Sequence, residues 1–255
     1  MLTAITASAL EVRFGDLIAL SGIDFKLPSA CSLAVIGANG SGKSTLLGAI
    51  AGTVVPTSGW IHVLGQPALV LQSTEVDRSL PITVYETVGL ARYPALGLFK
   101  RFGRDDRAAI NGALERLDIA DLAPRQLHEL SGGQRQRAVI AQGLAQESEI
   151  LLLDEPITGL DVVSQKVILE VIDDELAAGR TVVLTTHDLD DARRCHNVLL
   201  LDNGPIAFGS PSQVLTPENL RRAFGGRFVQ IGDHLMLDDD HHHHHHHHHH
   251  PHHDH

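Results

Sequence analysis

The fold is decided by residues 37–45, Gly37-Ala38-Asn39-Gly40-Ser41-Gly42-Lys43-Ser44-Thr45. This stretch matches the P-loop pattern G-x-x-x-x-G-K-[ST], whose glycine-rich backbone binds phosphates through its N–H groups. Residues 32–36 are apolar and partly β-branched, which predicts a buried strand, and residues 46–50 continue as a predicted helix. The order strand, glycine loop, helix places a helix N-terminus, with its partial positive charge, at the phosphate site.

The residue types in this loop suit different parts of a bound nucleotide. We expect Lys43 to contact the β- and γ-phosphates and Ser44 to place its hydroxyl on Mg²⁺. The other nucleotide-binding residues expected in the loop are Gly37, Asn39, Gly40, Ser41, Gly42 and Thr45. A glycine-rich turn with a stray lysine is the alternative interpretation, but the flanking strand and helix favour phosphate binding.

Length and composition restrict the class of protein. The chain has 255 residues, 43% of them apolar, which is enough for one large α/β domain or one domain with a small insert. Its formal net charge of −11 argues against a general nucleic-acid binder. Cys31 and Cys195 lie far apart without metal-ligand spacing, so a reduced, cytosolic chain is the simpler interpretation. No apolar run approaches the ~20 residues of a membrane span, and no signal peptide is evident. We therefore expect any work at a membrane to be done through a partner.

Two further predicted strands end in side chains that suit nucleotide hydrolysis. Residues 150–153 predict a buried strand that ends in Asp154 and Glu155, and carboxylates at such an edge suit Mg²⁺ and water. We expect Asp154 to hold the metal, mostly through water, and Glu155 to orient or deprotonate the attacking water. Residues 181–186 predict another strand that ends at His187, a candidate hydrogen-bond partner of the γ-phosphate or the attacking water. The expected catalytic residues are Glu155, His187 and Lys43.

The N-terminal region predicts a small antiparallel platform beside the nucleotide. Residues 5–14 and 17–27 read as a hairpin that turns at Gly15-Asp16. Phe14, just before the turn, is either an aromatic that stacks on adenine or an ordinary sheet-packing residue, and the residues alone leave both open. Gln72 ends a short predicted strand, where its amide is a candidate ligand for a metal or a water.

Residues 73–130 have a different character from the rest of the chain. Helical periodicity is present at 84–92 and 105–117, and residues 93–103 mix apolar and basic side chains. This pattern predicts a helical insert that presents a surface to a partner. A solvated helical hairpin without a partner is the alternative.

A second helix start, at LSGGQRQR (residues 130–137), follows the insert. Ser131 is a candidate N-cap, and Gly132 and Gly133 leave bare N–H groups that suit another phosphate contact. A second site makes little sense folded onto the first one in the same subunit, but it makes sense if it faces the P-loop of another subunit. A capped surface helix is the alternative.

The last residues, 238–255, hold 13 of the 18 histidines and no apolar side chain, which predicts a disordered tail. Dense imidazoles with a few carboxylates bind Zn²⁺, Ni²⁺ or Cu²⁺, whereas an affinity tag is the alternative. A bare tag seldom continues with Pro-His-His-Asp-His, so we favour a native metal-binding tail. Its candidate zinc ligands are His241, His245, His250, His252, His253 and His255.

The order of these motifs along nearly the whole chain resembles an ABC-type ATPase subunit, because LSGGQ between a P-loop and LLLDEP is highly specific. The resemblance implies an α/β fold over residues 1–237, with a P-loop NTPase (RecA-like) core, an N-terminal antiparallel β subdomain and the helical insert at 73–130. It implies a homodimer with two ATP, each between one subunit's P-loop and the other's signature. The roles it implies are adenine stacking for Phe14, the Q-loop for Gln72, the signature for Ser131, Gly132, Gly133 and Gln134, the catalytic glutamate for Glu155, the D-loop for Asp161 and the switch histidine for His187.

Residues 73–98 more closely resemble ATPases of the zinc/manganese importer group, and so do ITGLD, THDLDDARRC and the stretch NGPIAFGSPSQVLT. The resemblance implies an ATP-hydrolysing subunit at the cytoplasmic face of the membrane. It would drive a separate permease that imports zinc or manganese from an extracytoplasmic metal-binding protein, with no nucleic-acid partner. Residues 59–72 are fewer than usual for the family, so we expect part of the antiparallel sheet to be trimmed.

Two other functions compete with this interpretation. A soluble ABC ATPase of DNA repair or translation usually carries two ATPase units, long coiled coils or metal fingers, none of which is evident here. A metal-storage chaperone with an incidental ATPase fold rests on the tail alone.

Overall fold

The computed structural model describes residues 2–72, 81–96, 102–225, 228–231 and 234–237. The predicted tail at 238–255 lies outside the described residues. The strands are β1 (Thr3–Phe14), β2 (Leu17–Pro28), β3 (Ser32–Gly37), β4 (Ser58–Val63), β5 (Ala68–Val70), β6 (Ile150–Leu153), β7 (Thr181–Thr185), β8 (Asn197–Leu201), β9 (Pro205–Gly209), β10 (Phe228–Ile231) and β11 (His234–Leu237).

A six-stranded sheet with the order β5-β6-β7-β3-β8-β9 forms the centre of the molecule. Its neighbouring strands are parallel except β8 and β9. Apolar side chains alternate between the two faces, so that Leu33 and Val35 join one core and Ala34 and Ile36 join the other. Because parallel strands end at the same edge, the carboxyl ends of β3, β6 and β7 come together there.

A second, antiparallel sheet with the order β2-β1-β4 covers one face of the central sheet. Its first two strands form the expected hairpin, in which Phe14 pairs with Leu17 across a turn at Gly15. The strand β4 was not anticipated from the sequence. It ends at Val63, and β5 of the central sheet begins at Ala68.

The helices pack on both faces of the central sheet. They are α1 (Lys43–Ile50), α2 (Val84–Gly89), α3 (Tyr93–Leu96), α4 (Arg104–Arg116), α5 (Gly132–Leu144), α6 (Val162–Ala177), α7 (Leu189–Arg194), α8 (Pro211–Val214) and α9 (Pro217–Phe224). The helix expected at 84–92 is α2 followed by a 3-10 turn, and the one expected at 105–117 is α4. None of the helices in the described part of the chain is long and apolar enough to cross a bilayer.

Ion pairs connect the helical insert to the rest of the molecule. Arg92 donates to Asp106 at 3.0 Å and to Glu147, next to the end of α5, at 2.7 Å. Arg116 at the end of α4 donates to the buried carboxylate of Glu175 in α6 at 2.6 Å. These side-chain contacts help to hold α2 and α4 beside α5 and α6.

Candidate functional site

The loop from β3 to α1 requires glycine at two positions. At Gly42, φ is +98°, and a Cβ atom there would lie 2.5 Å from the carbonyl oxygen of Ala19. At Gly37, a Cβ atom would lie 2.4 Å from the carbonyl oxygen of Leu201. The absence of side chains lets the loop curl tightly between the hairpin and β8, as the sequence pattern predicts.

Among the described residues, the curled loop leaves hydrogen-bond donors without partners at the N-terminus of α1. No side chain caps the N-terminus of α1, so the N–H groups of its first turn have no partner within the helix. The hydroxyl of Ser41 is buried and has no hydrogen-bond partner among the described residues. An anion at the end of the helix would satisfy such donors, which is the arrangement expected for bound phosphate.

Lys43 adds a positive charge to the same place. Its ammonium group is buried and donates to the carbonyl oxygens of Gly37 and Ala38, at 2.9 and 3.2 Å. Burial lowers the pKa of Lys43, and the charges of Glu155 and Asp154 oppose that shift. A phosphate would exchange these neutral acceptors for charged ones, which form stronger hydrogen bonds with an ammonium group.

The two acids after β6 lie next to the loop, and a threonine on β7 holds them. Thr185 donates its hydroxyl to Oδ1 of Asp154 at 2.6 Å and accepts the N–H of Glu155 at 2.9 Å. Glu155 has a φ of +45°, in the left-handed region that non-glycine residues rarely adopt. Its Oε2 lies 3.7 Å from Nδ1 of His187, so the expected acid and the expected histidine are neighbours.

A cleft of about 310 Å³ brings the P-loop, the hairpin tip and Glu155 together. Phe14 lies at its rim and is 55% exposed, a position compatible with stacking on a base. Asn203, in the turn after β8, donates its N–H to the carbonyl of Ser41 at 3.2 Å. The cleft is lined by Phe14, Leu17, Ile18, Ala19, Asn39, Gly40, Gly42, Lys43, Ser44, Thr45, Glu155 and Asn203.

Several of these lining residues were not identified from the sequence. Leu17, Ile18 and Ala19 follow the turn after Phe14, and the predicted hairpin was the signal that could have placed them here. Asn203 follows β8, and its contact with the P-loop depends on the order of strands in the sheet, which a local sequence pattern does not specify.

Neither Gln72 nor the second helix start lines this cleft. Gln72 is exposed two residues beyond the end of β5 and is not among the residues that line the cleft. Ser131 caps α5 as expected, accepting the N–H of Gln134 at 3.3 Å, and Gln134 accepts the N–H of Ser131 at 3.1 Å. Ser131 and Gly132 are exposed, and a Cβ atom on Gly132 would meet open space. The start of α5 is therefore open to a second molecule.

Asp161 packs against the first turn of α5. It caps α6, accepting hydrogen bonds from the N–H and the hydroxyl of Ser164 at 2.8 and 2.9 Å, and these bonds lower its pKa. A Cβ atom on Gly133 would lie 2.6 Å from Oδ2 of Asp161. The first turns of α5 and α6 are thus in close contact within one subunit.

Two sets of metal ligands were expected. For Mg²⁺, the hydroxyl of Ser44 and the carboxylate of Asp154 both lie at the carboxyl edge of the central sheet, and oxygen donors are the ligands this ion prefers. No group of three or more histidine, cysteine, aspartate or glutamate side chains suited to a metal is present in the part of the chain that the structure describes. The candidate histidines of the tail lie outside that part.

A parallel sheet with a P-loop after its central strand and two acids after a neighbouring strand defines a P-loop nucleotide-hydrolysing protein. The family model for ABC transporters matches residues 20–158. The chain therefore belongs to the ABC transporter family, and it is an ABC-type ATPase.

Similar proteins include ATP-binding proteins of transport systems. The chain is 35% identical over 225 residues to the manganese transport system ATP-binding protein MntB of Listeria monocytogenes, covering 85% of this chain and 94% of the relative. It is 35% identical over 239 residues to the zinc transport system ATP-binding protein TroB of Treponema pallidum, covering 88% of this chain and 90% of the relative.

Solved structures agree with this assignment. A protein described as a metal-chelate type ABC transporter, in an inward-facing conformation, superposes with a TM-score of 0.82 at 30% identity, covering 93% of this chain and 98% of that one. The ADP conformation of the ATP-binding cassette MJ1267 has a TM-score of 0.75 over 88% of this chain and 100% of that one. At 24% identity, the second match supports the fold alone.

Proposed function

We propose that the chain is the ATP-hydrolysing subunit of an importer for zinc or manganese ions and drives a separate membrane permease. The proposal of a metal substrate is supported by relatives named for manganese and for zinc transport, each 35% identical over most of both chains. The ions would reach the permease from an extracytoplasmic metal-binding protein, and this subunit would lie at the cytoplasmic face of the membrane.

At the nucleotide, each group of residues has one role. The first turn of α1, with Asn39 and Gly40 before it, donates N–H groups to the phosphates, and Lys43 neutralises their charge. Phe14 stacks on the adenine. Ser44, Asp154 and Gln72 would hold Mg²⁺, which supplies charge neutralisation of the phosphate oxygens when bound.

Glu155 and His187 serve the attacking water. Glu155 reaches the cleft from the end of β6 and accepts a proton from the water or orients it. His187 lies 3.7 Å from that carboxylate and is placed to contact the water or the γ-phosphate.

The single observation that carries the proposal is the exposed start of α5. Ser131, Gly132, Gly133 and Gln134 provide a helix N-terminus suited to phosphate, yet none of them lines the cleft of their own subunit. A homodimer would give both the open cleft and the exposed α5 start a binding role, because each α5 start would then complete the other subunit's nucleotide site. Asp161, packed against Gly133, would lie at the same interface.

The helical insert, residues 73–130 of an ATPase domain spanning 1–237, would contact the permease. Leu71, Leu90 and Tyr93 are 58%, 45% and 51% exposed, so apolar surface is available on and beside the insert. The ion pairs of Arg92 with Glu147 and of Arg116 with Glu175 would pass movements of the ATPase core to this surface.

The tail, residues 238–255, would bind zinc through its histidines, in keeping with a metal substrate.

The experiment that tests the proposal measures ATPase activity and metal uptake by the chain assembled with its permease. Glu155→Gln keeps the shape of the side chain but removes the base, so it should retain ATP binding and lose turnover and uptake of Zn²⁺ or Mn²⁺. Glu149→Gln is the matched control, because Glu149 is exposed at the opposite end of β6. Uptake of both ions independent of this chain would refute the metal substrate, and normal hydrolysis in Glu155→Gln would refute the catalytic assignment. The same assay after deletion of residues 238–255 tests the tail.

A further inference from the structure

Thr185, the last residue of β7, is a polar side chain with no exposed surface. Its Oγ1 donates a hydrogen bond of 2.6 Å to Oδ1 of Asp154. The same oxygen accepts a hydrogen bond of 2.9 Å from the backbone N–H of Glu155. A hydroxyl group has one proton and two lone pairs, so both bonds can exist together. One side chain on β7 thus contacts both acids that follow β6.

The hydrogen bond to Glu155 replaces one that the sheet no longer provides. The pairing of β6 with β7 ends at Leu153 opposite Leu184, so Glu155 lies beyond the ladder. Its φ of +45° turns the chain sharply at this point, a conformation that is unfavourable for a side chain of this kind. A backbone in such a conformation persists only when its surroundings hold it, and the Thr185 hydroxyl is a partner that does so.

The hydrogen bond to Asp154 fixes the other acid. Asp154 is buried, and its own N–H donates to the carbonyl of Val70 at 2.9 Å. A hydroxyl bonded to one carboxylate oxygen sets the plane of the carboxylate and leaves the second oxygen able to accept further bonds. The orientations of Asp154 and Glu155 are therefore coupled through a single oxygen atom of β7.

We propose that Thr185 is a positioning residue for ATP hydrolysis, acting by holding the backbone of Glu155 and the carboxylate of Asp154 in their working orientations. The inference rests on the proposed role of Glu155 in the preceding section. It assigns to Thr185 an effect on turnover rather than on nucleotide binding, because neither of its hydrogen bonds reaches the P-loop.

The test replaces the hydroxyl by a methyl group of nearly the same size. Thr185→Val should lower kcat by about 10- to 100-fold, because small displacements of catalytic groups cost that much. The Kd for ATP measured without Mg²⁺ should stay within about threefold of the wild-type value, since the contacts that bind the nucleotide in the ground state are unaffected. Thr185→Ser, which keeps the hydroxyl, should recover most of the activity. Hydrogen exchange of the Glu155 amide in the nucleotide-free protein should be faster in Thr185→Val than in the wild type.

Thr181 provides a matched control on the same strand. It is also buried, and its hydroxyl accepts the N–H of Ala30 at 3.1 Å, but it lies at the opposite end of β7. Thr181→Val should therefore remove a comparable hydrogen bond and leave kcat and the exchange of Glu155 unchanged. If Thr185→Val does not fold, Thr185→Cys, with its weaker S–H donor, should show a smaller loss of kcat with the same unchanged Kd.

Wild-type kcat or wild-type exchange of the Glu155 amide in a folded Thr185 variant lacking the hydroxyl would overturn the inference, as would an equal loss of kcat in Thr181→Val. These outcomes differ from a failure of the proposed function. An inactive Glu155→Gln with an active Thr185→Val refutes only the role of Thr185. An active Glu155→Gln refutes the role of Glu155 itself.

Discussion

Asp191, in the first turn of α7, is a residue whose ionisation is disturbed by its surroundings. Burial raises its pKa to about 6, and the neighbouring charges of Asp188 and Asp190 act in the same direction. The hydroxyl of Thr186, which donates to Oδ2 of Asp191 at 3.2 Å, and the charge of Arg194 oppose the shift. Because the pKa in the folded state lies above the ordinary value of 3.8, the folded protein binds this proton more tightly than the unfolded chain.

The free energy of unfolding should therefore fall as pH rises through the window from about 4 to about 6, and Asp191 should disfavour folding above it. Asp191→Asn removes the charge and keeps an acceptor for Thr186. We expect it to stabilise the protein at pH 7.5 by about 1–2 kcal/mol, after allowing for solvent screening of a partly exposed group. The advantage should shrink at pH 4.5. Thermal unfolding followed by circular dichroism at both pH values measures the difference.

Asp190→Asn serves as the control for this prediction, since the side chain of Asp190 is exposed and forms a surface pair with Arg193. It should change the unfolding temperature little at either pH. An equal effect of Asp191→Asn at pH 7.5 and pH 4.5, or destabilisation at pH 7.5, would contradict the assignment of the raised pKa.

At the residue scale, the sequence was informative where a motif specifies its own local geometry. The glycines of the P-loop and Lys43 were predicted from their spacing along the chain, and Glu155 from its position after a predicted buried strand. Thr185 and Asp191 were not singled out, because the partners that explain them come from other strands or depend on burial. Such roles are set by tertiary packing, which a local pattern does not contain.

At the scale of elements, the contact between α5 and α6 tests why two adjacent glycines follow Ser131. A Cβ atom on Gly133 would lie 2.3 Å from Oγ of Ser164 in α6, whereas one on Gly132 would meet nothing within 4 Å. Gly133→Ala should therefore lower the free energy of unfolding by about 1–3 kcal/mol through overpacking. Gly132→Ala should be neutral or slightly stabilising, because alanine favours helix more than glycine does.

Thermal unfolding of the nucleotide-free protein compares the two variants directly. Since both substitutions add one methyl group to the first turn of the same helix, helix propensity cannot account for opposite signs. Equal stability of the two variants would show that α5 does not approach α6 as closely as the structure indicates.

Strands and helices with strong periodicity or a clear cap were predicted close to their observed ends. The hairpin of β1 and β2 and the buried strands β3 and β6 are of this kind, since their apolar residues are the main signal, and the start of α5 was predicted from its cap. The strand β4 and the short helices α7 and α8 were missed. The residues of β4 are all exposed or half-buried, so no clear alternation marks the strand, and its pairing with β1 depends on residues far away in sequence.

At the scale of the whole molecule, the proposed dimer divides each nucleotide site between two chains. One subunit would supply Lys43 and the other Gly132. A variant that is defective at one position should therefore complement a variant that is defective at the other when the two chains form a mixed dimer. Lys43→Ala removes the charge in the P-loop. Gly132→Asp adds a negative charge where the partner's phosphates would lie, and the open space around this glycine means that the isolated subunit should still fold.

We therefore expect each variant to be inactive as a homodimer and a mixed dimer of the two to hydrolyse ATP. In the mixed dimer, one site combines both defects, while the other combines the normal P-loop of one chain with the normal α5 start of its partner. The reciprocal pairing is the control: a wild-type chain with a chain carrying both substitutions leaves one defect in each site and should be inactive. ATPase assays of the mixed dimers, assembled with the permease and isolated through two different affinity tags, distinguish these outcomes. If each subunit instead formed a complete site alone, the first pairing would be inactive and the second active, and the proposed arrangement of the two chains would be wrong.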